Sequence, residues 1–159
     1  MTTAYIGIGS NIDPQKHIPM ALERLHQQLT VVGISSFYKL PAMGTAKGQA
    51  DFINGMIAVE TSLTARQLKF SVLREIEYEL GRNKDQPKYS AREMDLDLIL
   101  FGDKFIPELN VPEPEIKTRP YVFLPLLELN KFIKVPGDTN ILADILRNEK
   151  IEAKTFKLN

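Results

Sequence analysis

Asp95 and Asp97 stand two residues apart inside SAREMDLDLIL (90–100), with Arg92 just ahead of them. Residues i and i+2 of a strand share a face. The two carboxylates therefore point the same way, with Ile99 and Phe101 continuing their row, while Met94, Leu96, Leu98 and Leu100 form the core-facing row. Like charges on one partly apolar face repel each other and lose hydration. Something positive should offset them. A hard cation such as Mg²⁺ commonly takes one or two carboxylates plus substrate phosphates. Arg82, Lys84, Lys88 and Arg92, in the loop just before the aspartates, have the chemistry to hold those phosphates. Such a constellation points to Mg²⁺ and triphosphate chemistry, in which catalysis is mostly positioning and charge neutralisation. A solvated strand face beside a soluble loop shows the same residues, and spacing leaves both readings open.

The elements that must position these groups follow from periodicity. A strand is expected over TAYIGIGSN (3–11), breaking at Gly9-Ser10-Asn11. A helix over about 14–30 starts with Pro14 in its first turn and carries the stripe Ile18, Ala21, Leu22, Leu25 and Leu29. Strands at 31–39 and 51–61 flank a loop at 40–50, which is long enough to be functional. The clearest helix spans 64–80, with Thr61 or Ser62 as its cap, Leu68, Val72, Ile76 and Leu80 along one side, and Gly81 at its end. The acidic strand at 94–101 follows. After it come the proline-rich segment 107–120, helical pieces near 118–128 and 140–148, and a weakly specified C-terminal dozen. The order strand, helix, strand, strand, helix, strand is that of a ferredoxin-like α+β sandwich. Its antiparallel sheet packs helices on one face, and Asp95 and Asp97 are expected on the other.

Bulk properties narrow the classes. The chain has 159 residues, enough for one domain with a sizeable core, and is 43% hydrophobic and 25% charged. Twenty Lys plus Arg balance twenty Asp plus Glu, which gives no support for a nucleic-acid or anionic-membrane surface. The absence of cysteine excludes disulfides, zinc–thiolate sites and Cys nucleophiles. MTTAYIGIGSN lacks a signal-peptide pattern, no apolar run has the length of a membrane span, and a cytoplasmic location is the default expectation. GIGSN (7–11) lacks the third glycine of a dinucleotide fingerprint, and no Walker-type G-x-x-x-x-G-K-[ST] occurs. Gly7 and Gly9 are read as conformational, with close packing. His17 and His26 are spaced apart on the first helix and are read as surface or edge residues. No apolar stripe is left unassigned, which favours a monomer.

YSAREMDLDLILFG (89–102), GR (81–82), SSFYKLPAMG (35–44), DFINGMIAVET (51–61) and VPEPEIKTRPYVFLPLLEL (111–129), with the N-terminal AYIGIGSN, together resemble the 6-hydroxymethyl-7,8-dihydropterin pyrophosphokinase family of folate biosynthesis. The resemblance runs from residue 4 to about 137. It implies a ferredoxin-like fold with additional C-terminal helices, and transfer of pyrophosphate from ATP to the 6-hydroxymethyl group of the dihydropterin with release of AMP. It implies two Mg²⁺ ions on Asp95 and Asp97. It places Arg82, Arg92 and Arg119 at the phosphates, with Glu77, Lys84 and Tyr89 also on the ATP side. For the pterin it implies that Asn54 reads the ring edge, Phe52 and Tyr121 flank the ring, and Pro41 and Met43 border it. The family usually reads V-P-H-P where this chain has Val111-Pro112-Glu113-Pro114, and a carboxylate there repels phosphates unless turned away or paired. A paralogue with a shifted substrate or a binding-only role is the alternative.

Overall fold

A computed structural model describes residues 1–39, 51–82 and 92–158. Strand β1 (Thr2–Ser10) lies between β4 (Ile53–Thr61) and β5 (Asp95–Phe101), antiparallel to both. The far edge of β4 is shared by β2 (Thr30–Ile34) and β3 (Phe37–Lys39), and β3 pairs in turn with β6 (Lys154–Phe156). The sheet thus reads β5-β1-β4-β3-β6 with β2 beside β4. Helix α1 (Pro14–Gln28) links β1 to β2, and β4 sits between those two strands, as the split β-α-β order requires.

The strand expected over 31–39 is two strands, because Ser35 interrupts it. The Ser35 backbone N–H donates to the Met56 carbonyl at 2.9 Å, and its Oγ accepts from the Met56 N–H at 2.8 Å. A serine side chain thereby takes over a ladder contact, the kind of local competition that breaks regular pairing.

The helix expected over 64–80 is continuous but not uniform. It comprises α2 (Ala65–Gln67), a π-helical turn (Leu68–Leu73) and α3 (Arg74–Glu79). Leu68, Val72, Ile76 and Leu80 step by four, which outruns a turn of 3.6 residues, and the wider turn absorbs the drift. All four are buried. The cap is Thr64 rather than Thr61 or Ser62: its Oγ1 accepts from the Gln67 N–H at 3.1 Å, and Gln67 Oε1 accepts from the Thr64 N–H at 2.9 Å. That reciprocal pair satisfies two donors at once.

One face of the sheet packs Ala4, Ile6 and Ile8 against Ile18, Ala21 and Leu25 of α1 and Leu68, Leu73 and Ile76 of the second helical run. The additional helices α4 (Pro120–Leu129) and α5 (Leu142–Leu146) cover part of the other face, burying Tyr5, Met56, Ala58, Ile99 and Leu100 under Val122, Phe123, Leu126 and Leu142. The end of that face bearing Gly7, Gly9, Asn54, Asp95 and Asp97 lies beyond this apolar cluster.

Strand β5 departs from the expected alternation. Pairing with β1 passes from Ile6↔Leu98 to Tyr5↔Leu100, so Ile99 is a bulge. Past it the parity reverses. Leu100 joins Ile99 under α4, and Phe101 crosses to the α1 side. The carboxylate row is therefore Asp95, Asp97 and Ile99, without Phe101.

The C-terminal segment is more ordered than its sequence indicates. Lys154-Thr155-Phe156 is too short to show a period, but the edge of β3 recruits it, with Phe37↔Phe156 and Tyr38↔Thr155 as partners. No helix among the described residues is long and apolar enough to cross a membrane.

Candidate active site

The floor of the site is a pair of glycines. Gly7 lies between Asp97 on β5 and Met56 on β4, and Gly9 between Asp95 and Asn54. Cross-strand partners share a face, so the aspartates and Asn54 look out from the same surface. A Cβ on Gly9 would lie 2.8 Å from Asn54 Oδ1 and 3.7 Å from Phe52 Cδ1, and one on Gly7 would lie 3.3 Å from Ile99 Cδ1. Close packing holds at both glycines, and at Gly9 the neighbour is a polar site residue, but neither has a positive φ, so the conformational part of the sequence reading does not hold. Gly9→Ala is expected to displace the Asn54 amide. The KM for a ligand read by Asn54 should rise about tenfold, the effect of losing about 1.4 kcal/mol from one hydrogen-bonding group, with the melting temperature nearly unchanged; steady-state kinetics beside thermal unfolding checks both.

Asp95 is half-buried and Asp97 is exposed. Crowding by the cleft walls, followed by the negative charges of Asp95, Glu77 and Glu113, pushes the Asp97 carboxyl well above the ordinary carboxylate range, and Lys69 draws it back only partly. Because the side chain itself is open to solvent, water offsets much of the crowding, and the acidic neighbours are the durable cause. A divalent cation relieves that repulsion. Two oxygen-only donors on an open face suit a hard ion that draws its remaining ligands from water and phosphate, so these residues fit Mg²⁺.

Glu77 lies beneath the site rather than in its wall. It is 2% exposed. Its Oε2 accepts from the Leu96 N–H at 2.9 Å, and its Oε1 accepts from Arg82 at 2.7 Å and faces Arg74 Nε at 3.4 Å. Burial pushes its carboxyl up to about 7, assisted by Asp95 and opposed by the Leu96 and Arg82 hydrogen bonds. Glu77 thus pins the β5 backbone between Asp95 and Asp97 and at the same time holds Arg82.

The backbone of Arg92 is fixed from β1. Its N–H donates to Asn11 Oδ1 at 2.8 Å, and its carbonyl accepts from the Asn11 and Ile12 N–H groups at 3.1 and 3.2 Å. Asn11 is buried. The sequence reading treated it as part of a turn and missed this clamp; a polar residue directly after G-x-G-S was the available signal.

A second group approaches from the segment before α4. The Glu113 N–H donates to the carbonyl of the bulge residue Ile99 at 2.9 Å, and its Oε1 accepts from the Glu115 N–H at 3.3 Å. Arg119, at the N-terminus of α4, donates from Nε to Glu115 Oε2 at 2.5 Å. Glu115 was not singled out from sequence; its four-residue spacing from Arg119 is the pattern that marks such a pair. The half-buried Tyr121 has its hydroxyl pushed up, by burial first and then by Glu115, Glu113 and Asp97, against the pull of Arg119. Phe52 and Asn54 are half-buried on the β4 side. Pro41, Met43, Lys84, Lys88 and Tyr89 lie outside the described residues. His17 is half-buried and His26 exposed, as the surface-or-edge reading expected, and each turns a ring nitrogen to a backbone carbonyl of its own segment, Ile12 at 2.7 Å and Leu22 at 2.8 Å.

A split β-α-β sandwich with paired carboxylates on its open face defines a ferredoxin-like α+β protein with a candidate site for phosphate chemistry. Comparison with known proteins makes this specific. Residues 5–131 match the family model of 7,8-dihydro-6-hydroxymethylpterin-pyrophosphokinase (HPPK), and the chain belongs to that family. It is 36% identical over 132 residues to the 2-amino-4-hydroxy-6-hydroxymethyldihydropteridine pyrophosphokinase of Aquifex aeolicus, covering 81% of each chain. It is 32% identical to the Haemophilus influenzae protein of the same name, over 100% of this chain and 99% of that one. Among solved structures, a variant of Plasmodium falciparum HPPK-DHPS with SDX-DHP superposes with a TM-score of 0.72 at 12% identity, over 92% of this chain and 45% of that one. That likeness carries the fold, and the chain spans less than half of the solved one. Family membership makes the protein an ATP-dependent diphosphotransferase.

Proposed function

We propose that this protein transfers the pyrophosphoryl group of ATP to the 6-hydroxymethyl group of 6-hydroxymethyl-7,8-dihydropterin and releases AMP, a step of folate biosynthesis. The observation that carries the reading is the row Asp95–Gly9–Asn54, which sets a carboxylate and an amide on one face across a bare glycine, the arrangement that phosphate handling beside ring reading would require. Family membership supplies the substrates.

Asp95 and Asp97 would hold two Mg²⁺ ions, whose contribution when bound is to neutralise charge on the phosphate oxygens. Arg82 and Arg92, each fixed through its own anchor, place positive charge at the phosphates, and Arg119 and Lys84 add to it. Glu77 serves the ATP side through Arg82. Asn54 reads the hydrogen-bonding edge of the pterin, Phe52 and Tyr121 flank its ring, and Pro41, Met43 and Tyr89 complete the contacts. The hydroxymethyl oxygen attacks the β-phosphorus in line. Its bond to phosphorus forms as the bond from the β-phosphorus to the bridging oxygen of the α-phosphate breaks, the hydroxyl proton passes to solvent, and AMP departs. No covalent enzyme intermediate is required. The reading includes a cytoplasmic monomer.

Glu113 favours a second reading. Its charge raises the Asp97 carboxyl at the position where the V-P-H-P pattern of the resemblance has His, consistent with a paralogue of shifted substrate or binding-only role. AMP release from ATP and Mg²⁺, with and without 6-hydroxymethyl-7,8-dihydropterin, separates the two. Pterin-dependent AMP supports the pyrophosphokinase. Folded protein that binds Mg²⁺-ATP but makes no AMP supports the paralogue.

A further inference from the structure

We propose that Glu128 is a positioning residue for the pterin side of the site, acting through Tyr38 and the Ser35–Ser36 corner; this rests on the pyrophosphokinase reading above. Glu128 lies near the end of α4, yet both of its carboxylate oxygens are spent on the corner between β2 and β3. Oε2 accepts from the Tyr38 hydroxyl at 2.5 Å, and Oε1 accepts from the Ser36 N–H and the Ser36 hydroxyl, each at 2.8 Å. Three donors converge on one carboxylate from a segment about 90 residues away in sequence. Such charge-assisted bonds are the strong kind.

The geometry beyond Glu128 leads to Asn54. Tyr38 is the direct cross-strand partner of Asn54, Asn54 of Gly9, and Gly9 of Asp95. Partners in such a row share a face, so Tyr38 stands beside Asn54 on the side away from the carboxylates. Ser35, next to the Glu128-bound Ser36, grips Met56, two residues beyond Asn54, through both its N–H and its Oγ. Glu128 therefore fixes the β3 wall at Tyr38 and, through the serine corner, the β4 segment that presents Asn54. Burial and the Glu128 bond push the Tyr38 hydroxyl up to about 12, which keeps it a donor at any working pH. The three bonds outweigh burial and draw the Glu128 carboxyl down, so it stays an acceptor.

Anchoring α4 does not require this carboxylate. Val122, Phe123 and Leu126 already bury that helix against the sheet, and the Glu128 bonds are exposed, so water can take over their donors in a truncated variant and the main loss is of position. A positioning role and a packing role therefore predict different readouts.

Glu128→Ala, Glu128→Gln and Tyr38→Phe would be made in the full chain. Each variant would be titrated with 6-hydroxymethyl-7,8-dihydropterin and, separately, with Mg²⁺-ATP by calorimetry, alongside steady-state kinetics and thermal unfolding. The expected result for Glu128→Ala is a rise of about tenfold in the pterin KM and Kd, ATP affinity within twofold, and a nearly unchanged melting temperature. Glu128→Gln keeps the shape and one accepting oxygen, enough for the two Ser36 donors, while its amide nitrogen can only donate toward Tyr38, so it should recover part of the loss. Tyr38→Phe should reproduce part of it, and adding it to Glu128→Ala should add less than its separate effect. An unchanged pterin affinity, or an equal loss for pterin and ATP, overturns the proposal. Wild-type protein that fails to bind the pterin at all overturns the function reading and this inference with it, and so tells the two failures apart.

Discussion

Asp97→Ala is expected to lower kcat by about three orders of magnitude or more, because a group that stabilises developing charge in an excluded site is commonly worth about a hundred- to a thousandfold, and a metal ligand more. The fold should survive. Asp97 is solvent-exposed on the open half of the sheet, and removing it leaves Leu96 and Leu98 buried as before. Its carboxyl is repelled by Asp95, Glu77 and Glu113, so deleting one of four clustered negative charges should hold or raise the melting temperature of metal-free protein. Kinetics together with thermal unfolding gives the check. A variant with wild-type turnover removes Asp97 from the metal site, and one that unfolds tens of degrees early shows that the strand needs the carboxylate structurally.

Glu77→Ala should do the reverse, with a large loss of stability accompanying the loss of function. Breaking a buried ion pair by removing one partner costs about 3–5 kcal/mol, and an orphaned backbone donor costs about 1–3 kcal/mol. Arg82 is partly exposed and can rehydrate, which places the sum near the low end, about 4 kcal/mol. For a chain of this length that is a fall of roughly 8–16 °C in melting temperature. Glu77→Gln provides the pH test. The Glu77 carboxyl sits at about 7 in the folded protein against an ordinary value of 4.5. Between those values the folded state holds a proton that the unfolded chain has released, so stability falls as pH rises through that window. Asp97, also raised, contributes with the same sign. Denaturant titrations of metal-free protein at pH 5 and 7.5 should show the drop in the wild type and a smaller one in Glu77→Gln. Equal slopes would mean that Glu77 does not titrate there.

The strand order and the carboxylate pair were legible because they rest on short-range signals. Alternation over Asp95–Leu98 needs only period two, and the α1 stripe only period 3.6. What escaped depended on partners distant in sequence. The Ile99 bulge exists only relative to β1, and nothing inside LDLILF announces it. The break at Ser35 needs Met56, and β6 needs the open edge of β3. Glu77 was placed on the ATP side by resemblance, and its burial depends on Leu96, 19 residues away, and on Arg82, neither of which its own helix announces. Glu128 sits in an apolar helix with no local partner. Thr64 was misjudged for a simpler reason, since three hydroxyl residues precede the helix and only Thr64 has Gln three positions on.

The bulge at Ile99 makes β5 two amphipathic ribbons of opposite phase spliced end to end. Before the splice, odd-numbered residues face the ligand surface and even-numbered ones the α1 core. After it, the assignment is exchanged. Chemistry and packing therefore occupy separate halves of one seven-residue strand, and substitutions on one side of the splice answer to different constraints from those on the other. Excising Ile99 would leave every other residue of the strand on its present side, because Leu98 and Leu100 already pair with the adjacent residues Ile6 and Tyr5. What would be lost is Ile99 itself, whose side chain packs over Gly7 and whose carbonyl receives the Glu113 N–H. The one-residue irregularity is thus a docking point, by which the segment before α4 is moored beside the carboxylate pair at no cost to the register around it.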